Sequence, residues 1–302
     1  MTLVYWCYSM TDYRHKGVAL IQVLIMTAIM SLIAIQFSLT ARHQVDTAQS
    51  FNDRVMAELA LKSAQSQILF NFFKHDPENL SDQVVNGVKW NLRGQAFTLV
   101  EGVSVNIQSA SGLMSTLTMP EEYWLKVLAS LGIDDEKAYE LVHSLMDWHD
   151  IDNIQSLYGA EQNYYQNESL PLPRNGPMQH ISELQYVKGM TAALYTQLSP
   201  MATIYPSGSF NPSLAPASLV NAIFDEDTAK QIIEAQQSGS FTEQKWYDIV
   251  GSRHYDFVDI HPRNTFLISI TAKFNDVVLT RRFDIKVENQ KSVNPIVILA
   301  NY

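Results

Sequence analysis

Residues 18–41 carry no charge, and their first part, VALIQVLIMTAIMSLIAIQF, is apolar on every side of a helix. About 20 apolar residues at a 1.5 Å rise cross the ~30 Å core of a bilayer. Only Gln22, Thr27, Ser31 and Gln36 are clearly polar within it. Beyond Ala41 the pattern changes without breaking. Apolar residues recur at Val45, Ala48, Phe51, Val55 and Leu59, then at Ala64, Ile68 and Phe72. Steps of three and four predict a one-sided stripe on a continuing helix. Neither Pro nor Gly interrupts Val18 to Lys74, and Asp76-Pro77 should end the helix. A helix of that length would reach ~84 Å.

Strand patterns follow. Phe97 and Leu99, then Val103, Val105 and Ile107, alternate around Glu101-Gly102 and predict a hairpin. Near the C-terminus Phe266, Ile268 and Ile270 alternate, Asn275-Asp276 marks a turn, and Val277, Leu279, Phe283, Ile285 and Val287 resume the period of two. Ile296 to Ala300, behind Pro295, reads as a further strand. Between the two strand groups, roughly Gly112 to Val250, the pattern is helical and holds most of the prolines. Pro120-Glu121-Glu122 opens a helix, with Pro in the first turn and acids at the positive end of the dipole. Leu125, Leu128 and Leu131, then Leu141, Leu145 and Trp148, form apolar faces. Ile181 to Met201 reads helix, Lys188-Gly189-Met190, helix, and Pro216 to Gly251 repeats that rhythm.

Charge orients the apolar run. Arg14-His15-Lys16 precedes it, which places the N-terminus in the cytoplasm by the positive-inside rule. Lys16-Gly17 ahead of an apolar helix resembles a prepilin signal, which is cut after Gly on the cytoplasmic side and leaves the helix in the mature protein. A mature chain would then begin at Val18. MTLVYWCYS suits such a leader poorly, and Met10 offers an alternative start with the polar leader MTDYRHKG. The single cysteine, Cys7, lies upstream of Met10, so a mature chain would hold no disulfide, thiolate metal site or Cys nucleophile. With 31 acidic and 21 basic residues the formal net charge is −10, which disfavours nucleic acid as a partner.

The long helix has the shape of a pilin helix, and the pieces KGVALIQVLI, LVHSLMDWHDIDN, YGAEQNYY, HISELQYVKGMTAALYTQLSPMATIYP, PASLVNAIF and SGSFTEQKWYDIVG together resemble the K-type minor pseudopilin of the type II secretion system (general secretion pathway protein K). The resemblance implies an α+β fold: a pilin-like long N-terminal helix packed on a small antiparallel sheet, with a large all-α domain inserted between strands. The expected organisation is a leader at 1–17, the helix at 18–75, an α/β domain at 76–110 and 253–302, and the helical insert at 111–252. One stretch departs. Phe210-Asn211-Pro212-Ser213-Leu214-Ala215-Pro216 stands where the family has an Asn-Val-Asn-Thr-Ala-Pro-like segment.

Most pilin-like subunits resemble one another in a Glu at mature position five, whose carboxylate can neutralise a neighbour's N-terminal ammonium in an apolar core. Here that position is Gln22, which is neutral, and the K subunit likewise lacks the Glu. The resemblance therefore implies a subunit at the filament tip with the I- and J-type minor pseudopilins. It also implies cleavage by prepilin peptidase, N-methylation at Val18, contact with the inner-membrane secretion platform and with secreted substrates, and a single-pass inner-membrane protein with a periplasmic C-terminal domain.

Asp147, Asp150, Asp152 and Glu161 gather hard oxygen donors of the kind that Ca²⁺ prefers. Asp150, Asp152 and Glu161 fall at positions one, three and twelve of an EF-hand loop, but Ile154 and Gln155 occupy the fifth and sixth, so this is not an EF-hand. The segment resembles the calcium-bearing stretch of the K-type subunit, with Gln162 where the family often has Asp. A structural Ca²⁺ is thus an expectation, against solvated loop acids as the alternative.

Two other readings compete. Leu184–Gly189–Leu194 resembles a helix-hairpin-helix, but it carries one Lys in an acidic protein and reads better as a packing unit. For an enzyme, His143 and His149 are wrongly spaced for a zinc pair, and HExxH, GxSxG and a phosphate loop are missing. A minor pilin of a type IV pilus-like machine and a membrane-anchored periplasmic hydrolase remain the alternatives.

Overall fold

A computed structural model describes residues 18–302 apart from Asp76, Glu78, Asn79, Asn86, Ser252, His254, Pro262 and residues 289–291. Helix α1 runs unbroken over Val18–Lys74. Its N-terminal part holds an 18-residue window of mean hydropathy 2.6, and none of that window is buried. Among the described residues this is the one helix long and apolar enough to cross a membrane.

The buried side of α1 is Ala57, Leu61, Ala64, Ile68 and Phe72, flanked by Asp53 and Asn71. The single stripe expected from the sequence is in fact two. Val45, Ala48, Phe51, Val55 and Leu59 do not continue into Ala64. Leu59 to Ala64 is a step of five, a rotation of about 140°. Val45, Phe51 and Leu59 remain 67%, 69% and 56% exposed, on the side of α1 turned away from the sheet.

After α1 come two two-residue strands, β1 (Val84–Val85) and β2 (Val88–Lys89). Then β3 (Phe97–Val100) and β4 (Val103–Ser109) form the expected hairpin. Gly102 turns it at φ +77°, and a Cβ there would lie 2.9 Å from the Lys273 carbonyl oxygen. The helical block follows. Strand β5 (Met114–Ser115) pairs in parallel with β6 (Ala202–Thr203), so the block is not wholly helical. Its helices are α2 (Glu121–Ser130), α3 (Asp135–His149), α4 (Gln162–Asn167), α5 (Ala192–Leu198), α6 (Ala217–Ile223), α7 (Glu226–Ser238) and α8 (Glu243–Val250). Side chains of Asp134, Thr191, Asp225 and Thr242 accept from backbone N–H groups and start α3, α5, α7 and α8. Pro120 caps α2 from outside its first turn. Ile181–Tyr186 forms 3₁₀ turns rather than an α-helix, so the helix-hairpin-helix reading loses its first helix.

Strands β7 (Thr265–Phe274), β8 (Val277–Val287) and β9 (Ile296–Asn301) close the sheet in the order β3-β4-β7-β8-β9, antiparallel throughout. Register pairs Val105 with Ile270 and Ile107 with Ile268. The alternate residues Phe266, Ile268, Ile270, Phe283 and Ile285 are buried in one core with Leu61, Ile68 and Phe72 of α1. Asp53 fixes the level of α1 against the β7–β8 turn: it accepts from Asn275 Nδ2 at 2.9 Å and from Gln49 Nε2 at 2.8 Å. Arg281 of β8 pairs with Glu58 of the helix.

A second core, around Trp124, Leu128, Leu141, Trp148 and Tyr165, belongs to the helical block. The block joins the sheet at residues 109–112 and 210–215. Asn211, fully buried, donates from Nδ2 to the Ile260 carbonyl at 2.7 Å and accepts the Ser213 N–H at 2.9 Å. Gln108 Nε2 donates to the Leu214 carbonyl at 3.0 Å. A Cβ on Gly112 would sit 2.2 Å from that same carbonyl oxygen, where only backbone could give way. Gly112→Ala should therefore destabilise the protein by roughly 2–3 kcal/mol. Gly176→Ala, with nothing within 4 Å of its Cβ, should stay within about 0.5 kcal/mol of the parent. Chemical denaturation of both variants checks the pair.

Candidate metal centre

Helix α3 carries its apolar face inward through Leu141, Leu145 and Trp148, which brings Asp147, one residue before Trp148, into full burial. Asp150 ends the helix as its C-cap, and Glu161 precedes α4 as its N-cap. The loop between them folds back, so carboxylate oxygens of Asp147, Asp150 and Glu161 lie within 4.8 Å of one another. Asp147 accepts the Ser156 N–H at 3.1 Å. Both oxygens of Glu161 and Oδ1 of Asp150 are buried without a hydrogen-bond partner. Three convergent carboxylates with three orphaned oxygens are costly in an interior unless a cation or protons balance them. Burial, then the charges of Asp150 and Asp147, push the Glu161 carboxyl up to about 7. Asp150 is also raised, by burial first and then by Asp152 and Asp147.

Gly159 leaves the room for this arrangement. A Cβ there would stand 2.0 Å from Asp147 Oδ2. Gln155 Nε2 donates to the Gly159 carbonyl at 2.8 Å and closes the loop. Among the described residues the convergent donors are all carboxylate oxygens, which suits a hard divalent cation.

The structure brings together three of the four expected ligands. Asp152 lies outside the group. Its Oδ1 accepts the Ile154 N–H at 2.8 Å and its carbonyl accepts from Asn175 Nδ2 at 3.0 Å, so it shapes the turn. Val18 begins α1 and Gln22 lies exposed on it, while Gly17 and the leader fall outside the described residues. Two features escaped sequence reasoning. The part played by Gly159 depends on a contact with a residue on another element. The loop also leaves Ile151, Ile154 and Leu157 at 89%, 76% and 82% exposure, which an unusually apolar loop composition could have signalled.

Comparisons with known proteins bear on the same region and beyond it. The family model for type II secretion system (T2SS), protein K matches residues 103–207, which take in the three carboxylates. Type II secretion system protein K of Aeromonas hydrophila is 28% identical over 270 residues, 77% of this chain and 79% of that one. The protein of the same description from Klebsiella pneumoniae is 26% identical over 204 residues, 63% of this chain. The matched region spans 62% of the Klebsiella relative, less than two thirds of its length. In structure, a chain of the GspK-GspI-GspJ complex from enterotoxigenic Escherichia coli superposes with a TM-score of 0.59 at 19% identity, over 84% of this chain and 98% of that one.

A long N-terminal helix on an antiparallel sheet, with a helical block spliced between the strands, defines a pilin-like fold with an inserted domain. Over residues 103–207 by the family model, and at 26–28% identity over most of its length, the chain is similar to type II secretion system protein K.

Proposed function

We propose that this protein is a minor pseudopilin of the type II secretion system that sits at the pseudopilus tip and initiates its assembly for protein export across the outer membrane. The observation that carries the reading is the two-sided lower half of α1. One face is consumed by its own sheet, and the other offers Val45, Phe51, Val55 and Leu59 to solvent. A monomer gains nothing from that second stripe, whereas a helix that docks beside other pilin-like helices needs one. The I- and J-type minor pseudopilins are the partners the family context supplies.

The apolar first part of α1 anchors the protein in the inner membrane, with the domain beyond it in the periplasm and Lys16-Gly17 presented to prepilin peptidase. Neutral Gln22 gives an incoming subunit no carboxylate for its terminal ammonium. The helical block adds bulk to the globular domain at the other end of α1, and both features favour the tip. Asp147, Asp150 and Glu161 hold Ca²⁺ in a structural role, stiffening the α3–α4 loop. The protein works by assembly rather than catalysis. Replacing Gly17 with Leu should leave the precursor uncut on a gel of membranes and should stop secretion in the same cells. Normal cutting, or secretion sustained by the uncut protein, would remove the pseudopilin reading.

A further inference from the structure

On the sheet face opposite α1, the helical block does not close down completely. A cavity of about 630 Å³ remains, floored by residues of β4, β7 and β8 and roofed by the 3₁₀ segment, α5 and the loop after β6. That volume is typical of sites for small ligands or single side chains. Asp284 of β8 lines it and is 6% exposed. Its Oδ2 accepts from the Tyr205 hydroxyl at 2.8 Å and from the Tyr302 hydroxyl at 3.4 Å. Among the described residues no donor reaches Oδ1 and no Lys or Arg pairs with the carboxylate, on which the exposed His180 acts as a basic neighbour. The aromatic rings of Tyr195, Tyr205, Tyr302 and His180 also line the space, with His180 edge-on to Tyr302 at 5.3 Å between centroids.

We propose that this cavity is a binding site for an organic cation, a guanidinium or ammonium group on an apolar stem. It would seat the charge on Asp284 Oδ1 and the stem among the tyrosine rings. Three considerations converge on that ligand class. A nine-tenths-buried carboxylate with one free oxygen is stabilised most by a charged donor. Tyrosine faces attract cations, and the rings of Tyr195 and Tyr205 are half-buried at the site. A single carboxylate supplies too few ligands for a bare divalent metal. Arg282, exposed at the rim, would face whatever acceptor the ligand carries behind its cationic head, such as a peptide carbonyl or carboxylate. The pairing of Asp284 with Tyr205 also ties the block to the sheet, so an occupied cavity would brace that seam. The site is independent of the secretion reading, since it rests on the cavity alone.

The test is calorimetric titration of the full-length protein in detergent micelles with n-butylguanidinium, with its neutral isostere n-butylurea, and with the blocked tripeptide acetyl-Gly-Arg-Gly-amide. Saturable binding of a cationic probe, at least about tenfold tighter than that of butylurea, is expected. Asp284→Asn should weaken it by a similar factor. Because Asp284 also holds Tyr205, a second variant guards against simple misfolding: Ser269→Trp fills the floor of the cavity and leaves the carboxylate intact, and it should abolish binding too. Tighter binding of the tripeptide assigns the site to a protein side chain, and tighter binding of butylguanidinium assigns it to a free small cation. Equal binding of butylurea, binding unchanged by Ser269→Trp, or no saturable heat from either cationic probe would overturn the proposal.

Discussion

Calcium at about a hundred times its dissociation constant should raise the melting temperature by about 5–10 °C, because a ligand at that excess adds ~2.7 kcal/mol to the folded state. The expectation follows from the orphaned oxygens. Glu161 has neither carboxylate oxygen hydrogen-bonded, Asp150 has one orphan, and buried Asp147 adds a third carboxylate beside them. In calcium-free buffer this arrangement has a definite pH signature. The Glu161 carboxyl sits at about 7 in the folded protein, against 4.5 as the ordinary value. Between those limits the folded state binds more protons than the unfolded one, so stability falls as pH rises from about 4.5 to about 7 and is level above that. The full fall would be on the order of 3 kcal/mol.

Glu161→Gln separates this account from ordinary loop chemistry. The neutral amide removes the repulsion, so the calcium-free variant should melt higher than the parent at pH 8. It should also lose the calcium-induced rise. A variant that melts lower without calcium, or still responds to it fully, would show that Glu161 is neither repelled nor a ligand. Thermal melts at pH 5 and pH 8, with calcium and with chelator, read all of this in one set.

The second large effect concerns α1. Phe51→Asp combined with Leu59→Asp should leave the melting temperature within about 1 °C of the parent, since both side chains are mostly exposed. The same pair should weaken association with partner pseudopilins by about a hundredfold or more, since apolar anchors near the middle of an interface dominate its energy. Leu61→Asp gives the opposite outcome. Leu61 is 2% exposed between α1 and the sheet, and an unpaired carboxylate there should unfold the domain. A melt and a pull-down on the three proteins distinguish a docking face from a structural one. Equal pull-down by parent and double variant would leave the exposed stripe without a role in assembly.

These predictions rest on elements of unequal legibility. Helix α1 and the strands at 97–109, 265–287 and 296–301 could be read from periodicity, because a local period of 3.6 or 2 survives in each. The division of α1 into two faces was harder. It hangs on the step of five between Leu59 and Ala64, which apolar counting alone passes over. The junction of the two cores was not legible at all. Gly112 meets Leu214 about a hundred residues away, and no local pattern encodes that approach. The three carboxylates were visible as a cluster of oxygen donors, yet nothing in their spacing separated Asp152, which hydrogen-bonds its own turn, from the three that converge. The cavity beneath Asp284 draws on β4, the 3₁₀ segment, α5 and β8, so only the folded arrangement brings it into view.

Co-expression of the full-length protein with I- and J-type minor pseudopilins, followed by detergent extraction and mass determination of the purified complex, tests the central claim most directly. The account predicts one stable particle containing one copy of each of the three proteins, lost when Phe51 and Leu59 are both Asp. Recovery of this protein alone, or only as copies of itself, in the presence of both partners would contradict it.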